Sequence, residues 1–172
     1  MSLHSAIPDK DDPRWTRRGG LHVRRFEGVH RWNSGYTYTI KVTAAQTGGS
    51  LGFIEGTVPP GGGPAAHAHS NEDEAFYLLS GDLEFLNGDE TFIAGPGDVV
   101  FIPRGNRHRF KNVGLRSAHI LFLFTPGGQE GYFVESGDEP TPGEPPTTWG
   151  PEKYTPLLKV IEKYGNTPMP EN

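Results

Sequence analysis

The chain has 172 residues, a formal net charge of −5 and no cysteine. That length fits one domain with a core of its own, and the lack of cysteine excludes both a disulfide framework and a thiolate metal site. Lys and Arg nowhere cluster densely enough to neutralise a run of phosphates, which argues against a nucleic-acid footprint, and no apolar segment approaches the ~20 residues of a membrane span.

With 24 glycines and 16 prolines, the composition suits many short strands joined by tight turns, so an all-β fold is expected. Nothing near Met1 has the charged start and apolar run of a signal peptide, and a cytoplasmic location is the expectation. Residues 1–19 are polar, with Pro8 and Pro13, and predict an irregular arm. Arg17-Arg18 and Arg24-Arg25 are isolated doublets that read as solvated charge. The alternation in residues 36–42 predicts a strand with Tyr36, Tyr38, Ile40 and Val42 on one face. Residues 50–58 predict another, followed by the loop Pro59-Pro60-Gly61-Gly62-Gly63-Pro64. This glycine run lacks the Lys-Ser/Thr ending and following helix of a phosphate cradle.

Downstream, Asn87-Gly88 predicts a hairpin between residues 83–86 and 90–94, and Gly95-Pro96-Gly97-Asp98 predicts the next turn. Residues 117–125, dense in Ile, Leu and Phe, read as the last core strand. Residues 126–150 read as loop. A final helix is expected over residues 152–164, because Leu157, Leu158, Ile161 and Tyr164 recur at helical spacing and Gly165 can end it. It could be a packing helix or a lid.

Two motifs carry the chemistry. Gly61 is followed by five residues and then His67-Ala68-His69; Glu74 comes after four more and Gly81 after a further six. Gly97 leads through five residues to Pro103-Arg104-Gly105, then His108 and Asn112. In an extended strand alternate side chains share a face, so His67 and His69 can address one ion. On the following strand Glu74, Phe76 and Leu78 share a face, and His108, Phe110 and Asn112 share another. Three neutral imidazoles and one carboxylate leave a divalent ion with roughly one net positive charge and, if six-coordinate, about two open positions. Iron, nickel, manganese, cobalt and zinc all accept such a donor set, and one ion per chain is expected.

These motifs resemble the two signature motifs of the cupin family at each diagnostic position, over residues 51–126. The resemblance implies a jelly-roll β-barrel spanning residues 20–126, whose closure removes exposed strand edges, with residues 127–172 forming a C-terminal loop and short helix. It assigns His67, His69, Glu74 and His108 to the metal, and it implies a homodimer.

Inward parity nominates cavity residues: Tyr38, Phe53 or Ile54, Phe76, Phe101 or Val100, and Phe110. Such a lining would be apolar and suited to an aromatic or polyketide-like molecule. A small dianion would want buried cations, whereas Arg104, Arg107 and Arg109 read as rim charges. His119 interrupts an apolar strand, facing either outward into a polar contact or inward as a cavity acid or base. Three function classes follow. Similarity to flavonol-cleaving members implies a quercetinase-like dioxygenase, in which dioxygen attacks an enolisable aromatic and Glu74 doubles as general base. A zinc-dependent polyketide cyclase or isomerase is the first alternative. A non-catalytic binding module is the second.

Overall fold

The computed structural model describes residues 19–171, so the arm expected over residues 1–19 lies outside it save for Gly19. The described strands are β1 (Val29–Asn33), β2 (Tyr36–Val42), β3 (Gly52–Val58), β4 (His67–His69), β5 (Asp73–Ser80), β6 (Leu83–Asn87), β7 (Glu90–Ala94), β8 (Val99–Ile102), β9 (His108–Lys111), β10 (Ala118–Thr125) and β11 (Asn166–Pro168). Among the described residues three helices join them: α1 (Ala44–Thr47), α2 (Glu130–Ser136) and α3 (Pro151–Lys163).

The strands form two sheets, ordered β1-β2-β3-β10-β5-β8 and β11-β4-β9-β6-β7. All pairings are antiparallel. Period-two patterning sets the inner faces. In β3 the buried positions are Gly52, Ile54, Gly56 and Val58, and in β10 they are Ala118, Ile120, Phe122 and Phe124. Phe76 meets Phe85 and Phe110 of the facing sheet and Phe122 of its own edge-on, with centroids 5.2, 5.9 and 5.4 Å apart. Aromatic rings prefer this geometry to face-to-face stacking.

The structure corrects the sequence reading in four places. Asn87 pairs with both Glu90 and His108, so it extends β6 and the two-residue turn is Gly88-Asp89, with Gly88 at φ +64°. Pairing with β9 therefore moved the turn by one residue. Second, residues 126–150 are not all loop. Helix α2 lacks a capping side chain at Gln129 and is held by tertiary contacts: Phe133 packs on Tyr38 at 4.7 Å, and Glu130 accepts hydrogen bonds from the Ala44 and Gly128 amides. Third, Leu158 is 61% exposed, and α3 turns Leu157 and Ile161 inward instead. Fourth, β1, α1 and β11 lie outside the elements expected from the sequence, although α1 carries the local signals of a capping box between Thr43 and Gln46 and a left-handed Gly48 at its end. β11 pairs with β4 and so brings the C-terminal segment against the strand that carries His67 and His69.

Candidate metal centre

His67 and His69 occupy the two ends of β4, His108 opens β9, and Glu74 is the second residue of β5. β4 and β9 pair at His67 and His108. Each of these rings is pinned by a backbone carbonyl two residues upstream: His67 Nδ1 lies 2.8 Å from Ala65 O, and His108 Nδ1 lies 3.0 Å from Asn106 O. Nδ1 donates in both, which leaves Nε2 to face the centre. Glu74 Oε2 lies 3.1 Å from His69 Nε2 and 2.9 Å from His108 Nε2. One nitrogen from each of the three histidines falls within 4.8 Å of the others.

Burial pushes the Glu74 carboxyl up, but His69 and His108 beside it outweigh burial and hold it down at about 2. The His67 imidazole is lowered to about 4 by burial and then by His108 and His69. His69 is raised: burial opposes its charge, yet Glu74 favours it more, and Glu72 adds to the effect. Glu72 itself is pushed up to about 7, chiefly by burial and, against the pull of His69, by Glu74.

The donor set fits a cation. Both ring nitrogens of His108 face oxygen acceptors, and the residue is 1% exposed. A neutral imidazole has only one N–H to give. A divalent ion at Nε2 resolves this, leaving Nδ1–H for Asn106 and a positive partner for Glu74. The other motif residues support the frame. Asn112 donates through Nδ2 to Val58 O and Arg116 O at 2.9 and 2.8 Å and accepts from Gly114 N at 2.9 Å. Gly105 N donates to His69 O at 2.7 Å.

The four residues form the base of a cavity of about 870 Å³. Tyr38, Phe76 and Phe110 line it as parity suggested; Phe53, Phe101 and His119 do not. In the two open pairs the inward residue is Ile54, not Phe53, and Val100, not Phe101. His119 also faces outward, 2.9 Å from Glu55. Arg104, Arg107 and Arg109 are engaged outside the cavity by Asp73, Asp89 and Glu84, and among the described residues no Lys or Arg lines it. In the far wall, Leu157 and Ile161 come from the helix for which a lid was one of the two expectations, whereas sequence reasoning missed Tyr132, Phe133, Trp149 and Tyr154, which line the cavity beside them. It also missed Glu72, which period two places on the side of Glu74, a signal present in the sequence.

Comparison with known proteins agrees with this architecture. The family model described as "Cupin domain" matches residues 54–124. Tetracenomycin polyketide synthase protein TcmJ of Streptomyces glaucescens is 33% identical over 56% of this chain and 63% of its own length. Polyketide synthase CurC of Streptomyces cyaneus is 33% identical over 52% of this chain and 57% of its own. The chain thus spans less than two thirds of either relative. KdgF from a Halomonas species superposes with a TM-score of 0.58 at 18% identity, covering 65% of this chain and 98% of that one, a likeness of fold.

Proposed function

We propose, from the premise that this chain carries a single cupin domain, that it is a metal-dependent enzyme acting on an enolisable, polyketide-like aromatic. The observation that carries the reading is the convergence of three imidazoles and Glu74 at the base of an aromatic cavity of about 870 Å³ that, among the described residues, no Lys or Arg lines. Such a wall stacks on a flat ring system and gives a small dianion no counter-charge. His67, His69, His108 and Glu74 would hold one divalent ion, and when bound it supplies Lewis acidity toward a carbonyl or enol oxygen.

The chain's own groups do the rest. Buried Tyr38 is held protonated, with its ordinary value pushed well up by burial and then by Tyr36, Tyr132 and Glu74. Its ring lines the cavity, so it serves as a neutral donor. His69 and His108 hold the Glu74 carboxyl low, so it would take up a proton only where a substrate draws it away from the ion it would share with those imidazoles. Helix α3 and the Trp149 segment line the ring-binding space with apolar surface, which a bound ring would cover.

The names of the two Streptomyces relatives associate them with polyketide synthases, which supports a polyketide-like substrate; redox-neutral cyclisation or isomerisation is one reaction the donor set suits. The quercetinase-like reading rests on the 3-His-1-Glu donor set, which equally suits oxygen-dependent cleavage. Metal analysis of untagged protein, followed by assays of a flavonol and a poly-β-ketone analogue with and without air, separates them. Anaerobic turnover supports the cyclase. Oxygen uptake with the flavonol supports the dioxygenase, and failure to hold any of the five candidate metals refutes both.

Among the described residues, no helix is long and apolar enough to cross a membrane. The outer face of β5 and the edge strand β8 exposes Tyr77, Leu79, Val99 and Phe101 by 38, 41, 67 and 56%. This apolar edge supports a homodimer, and sedimentation velocity tests it: a monomer at micromolar concentration rejects the pairing.

A further inference from the structure

The three histidines are not held alike. His67 and His108 give Nδ1 to backbone carbonyls, whereas His69 Nδ1 is buried and has no hydrogen-bond partner. The group opposite it is a carboxylate: Glu72 Oε1 lies 3.5 Å away, and both side chains are 4% exposed. Buried polar groups are normally satisfied, and an orphaned ring nitrogen facing a buried carboxylate at this separation needs only a small approach to close the bond.

The carboxylate has its own support. With its amide turned to donate, Gln129 places its nitrogen 3.0 Å from Glu72 Oε1 and 3.2 Å from Tyr164 O, while its oxygen accepts from Asn166 Nδ2 at 3.0 Å. Gln129 precedes α2 and Asn166 opens β11, so two parts of the C-terminal segment steady an acid in the turn between β4 and β5. Asn166 is the other side chain within hydrogen-bonding reach of the His69 ring, and it stands opposite His69 in the β4–β11 pairing.

We infer that Glu72 is a positioning residue for the metal: its carboxylate accepts the Nδ1–H of His69, fixing the tautomer and turning Nε2 toward the ion. This rests on the metal-centre reading above. A carboxylate behind a ligating imidazole also makes that imidazole the more basic donor, so His69 differs from the two carbonyl-backed ligands in strength as well as orientation. The C-terminal segment thereby belongs to the metal centre without supplying a ligand.

The test is zinc titration of chelator-treated protein by calorimetry, together with the ¹⁵N–¹H signal of His69 Nδ1 in the zinc-loaded protein. Wild type should show one zinc site and a protected Nδ1–H. Glu72→Ala should weaken zinc binding by about 10- to 100-fold and lose or shift that signal, while the His67 and His108 signals stay in place. If Glu72→Ala does not fold, Glu72→Gln keeps the volume and removes the charge; the His69 signal should move and the affinity fall by a smaller factor. Wild-type affinity and an unmoved signal in either folded variant overturn the inference, as does a signal that responds to Asn166→Ala and not to Glu72→Ala. Zinc binding absent from wild type would instead refute the metal centre itself.

Discussion

His108 Nε2 lies 2.9 Å from Glu74 Oε2, and the two residues come from different sheets: His108 from β9 and Glu74 from β5. Their contact is a bond between the layers of the barrel at the point where the cavity ends. Burying two such groups costs desolvation that a hydrogen bond alone offsets poorly. An ion held by His67, His69, His108 and Glu74 would replace this pair with a cross-link between the sheets, so occupancy should be readable in stability as well as in chemistry.

Metal should therefore raise the melting temperature. An ion that binds only the folded state, at about 100 times its Kd, adds about 2.7 kcal/mol. For a chain of this size that corresponds to a rise of roughly 5–10 °C. Scanning calorimetry of chelator-treated protein, with and without zinc, nickel or ferrous iron, measures it. A melting temperature indifferent to all of them would leave the donor set without an ion.

Truncating a ligand separates binding from scaffold. His108→Ala removes one ligand and leaves Glu74 a single imidazole partner, so one-equivalent metal retention should disappear in elemental analysis. Glu74→Gln keeps the volume and loses the charge; turnover should fall by about 10²-fold or more if the carboxylate moves protons. Wild-type turnover in Glu74→Gln would take Glu74 out of the mechanism even if metal content were preserved.

Much of this centre was legible in the sequence because strand parity is a strict rule. His67 and His69, Glu74 with Phe76 and Leu78, and His108 with Phe110 and Asn112 share faces for geometric reasons alone. Parity could not choose between Phe53 and Ile54, or between Phe101 and Val100, without knowing which face each strand buries, and the larger side chain was the outward one in both pairs. His119 was undecided for the same reason, and its contact with Glu55 crosses between strands far apart in sequence. In the far wall α3 was legible from its helical spacing, but α2 was not: it has no capping signal, and its position depends on Phe133 meeting Tyr38 and on Glu130 reaching the Ala44 amide.

Gly56 sits under the cavity aromatics. A Cβ there would lie 2.8 Å from Phe122 Cε2 and 3.1 Å from the Tyr38 ring. Gly56→Ala should therefore cost about 1–3 kcal/mol by overpacking and displace Tyr38. Urea denaturation measures the first effect and substrate affinity the second. A variant as stable as wild type would show that Phe122 and Tyr38 have room to yield.

Helix α3 closes the cavity with Tyr154, Leu157 and Ile161, and several contacts hold it down. Gly131 lies against the Tyr164 ring, where a Cβ would stand 2.6 Å from Cε1. Lys163 Nζ meets Glu135 at 2.5 Å, and beyond the helix Glu171 meets Arg109. The helix's exposed side, including Leu158, carries no such load. Leu157→Ala should open the mouth without touching the ligands, raising KM for an aromatic substrate more than it lowers kcat, with metal content unchanged. The exposed control Leu158→Ala should leave both constants within about twofold, in keeping with the small effects of surface changes. If the two variants behave alike, α3 is a packing helix and not a wall of the substrate site.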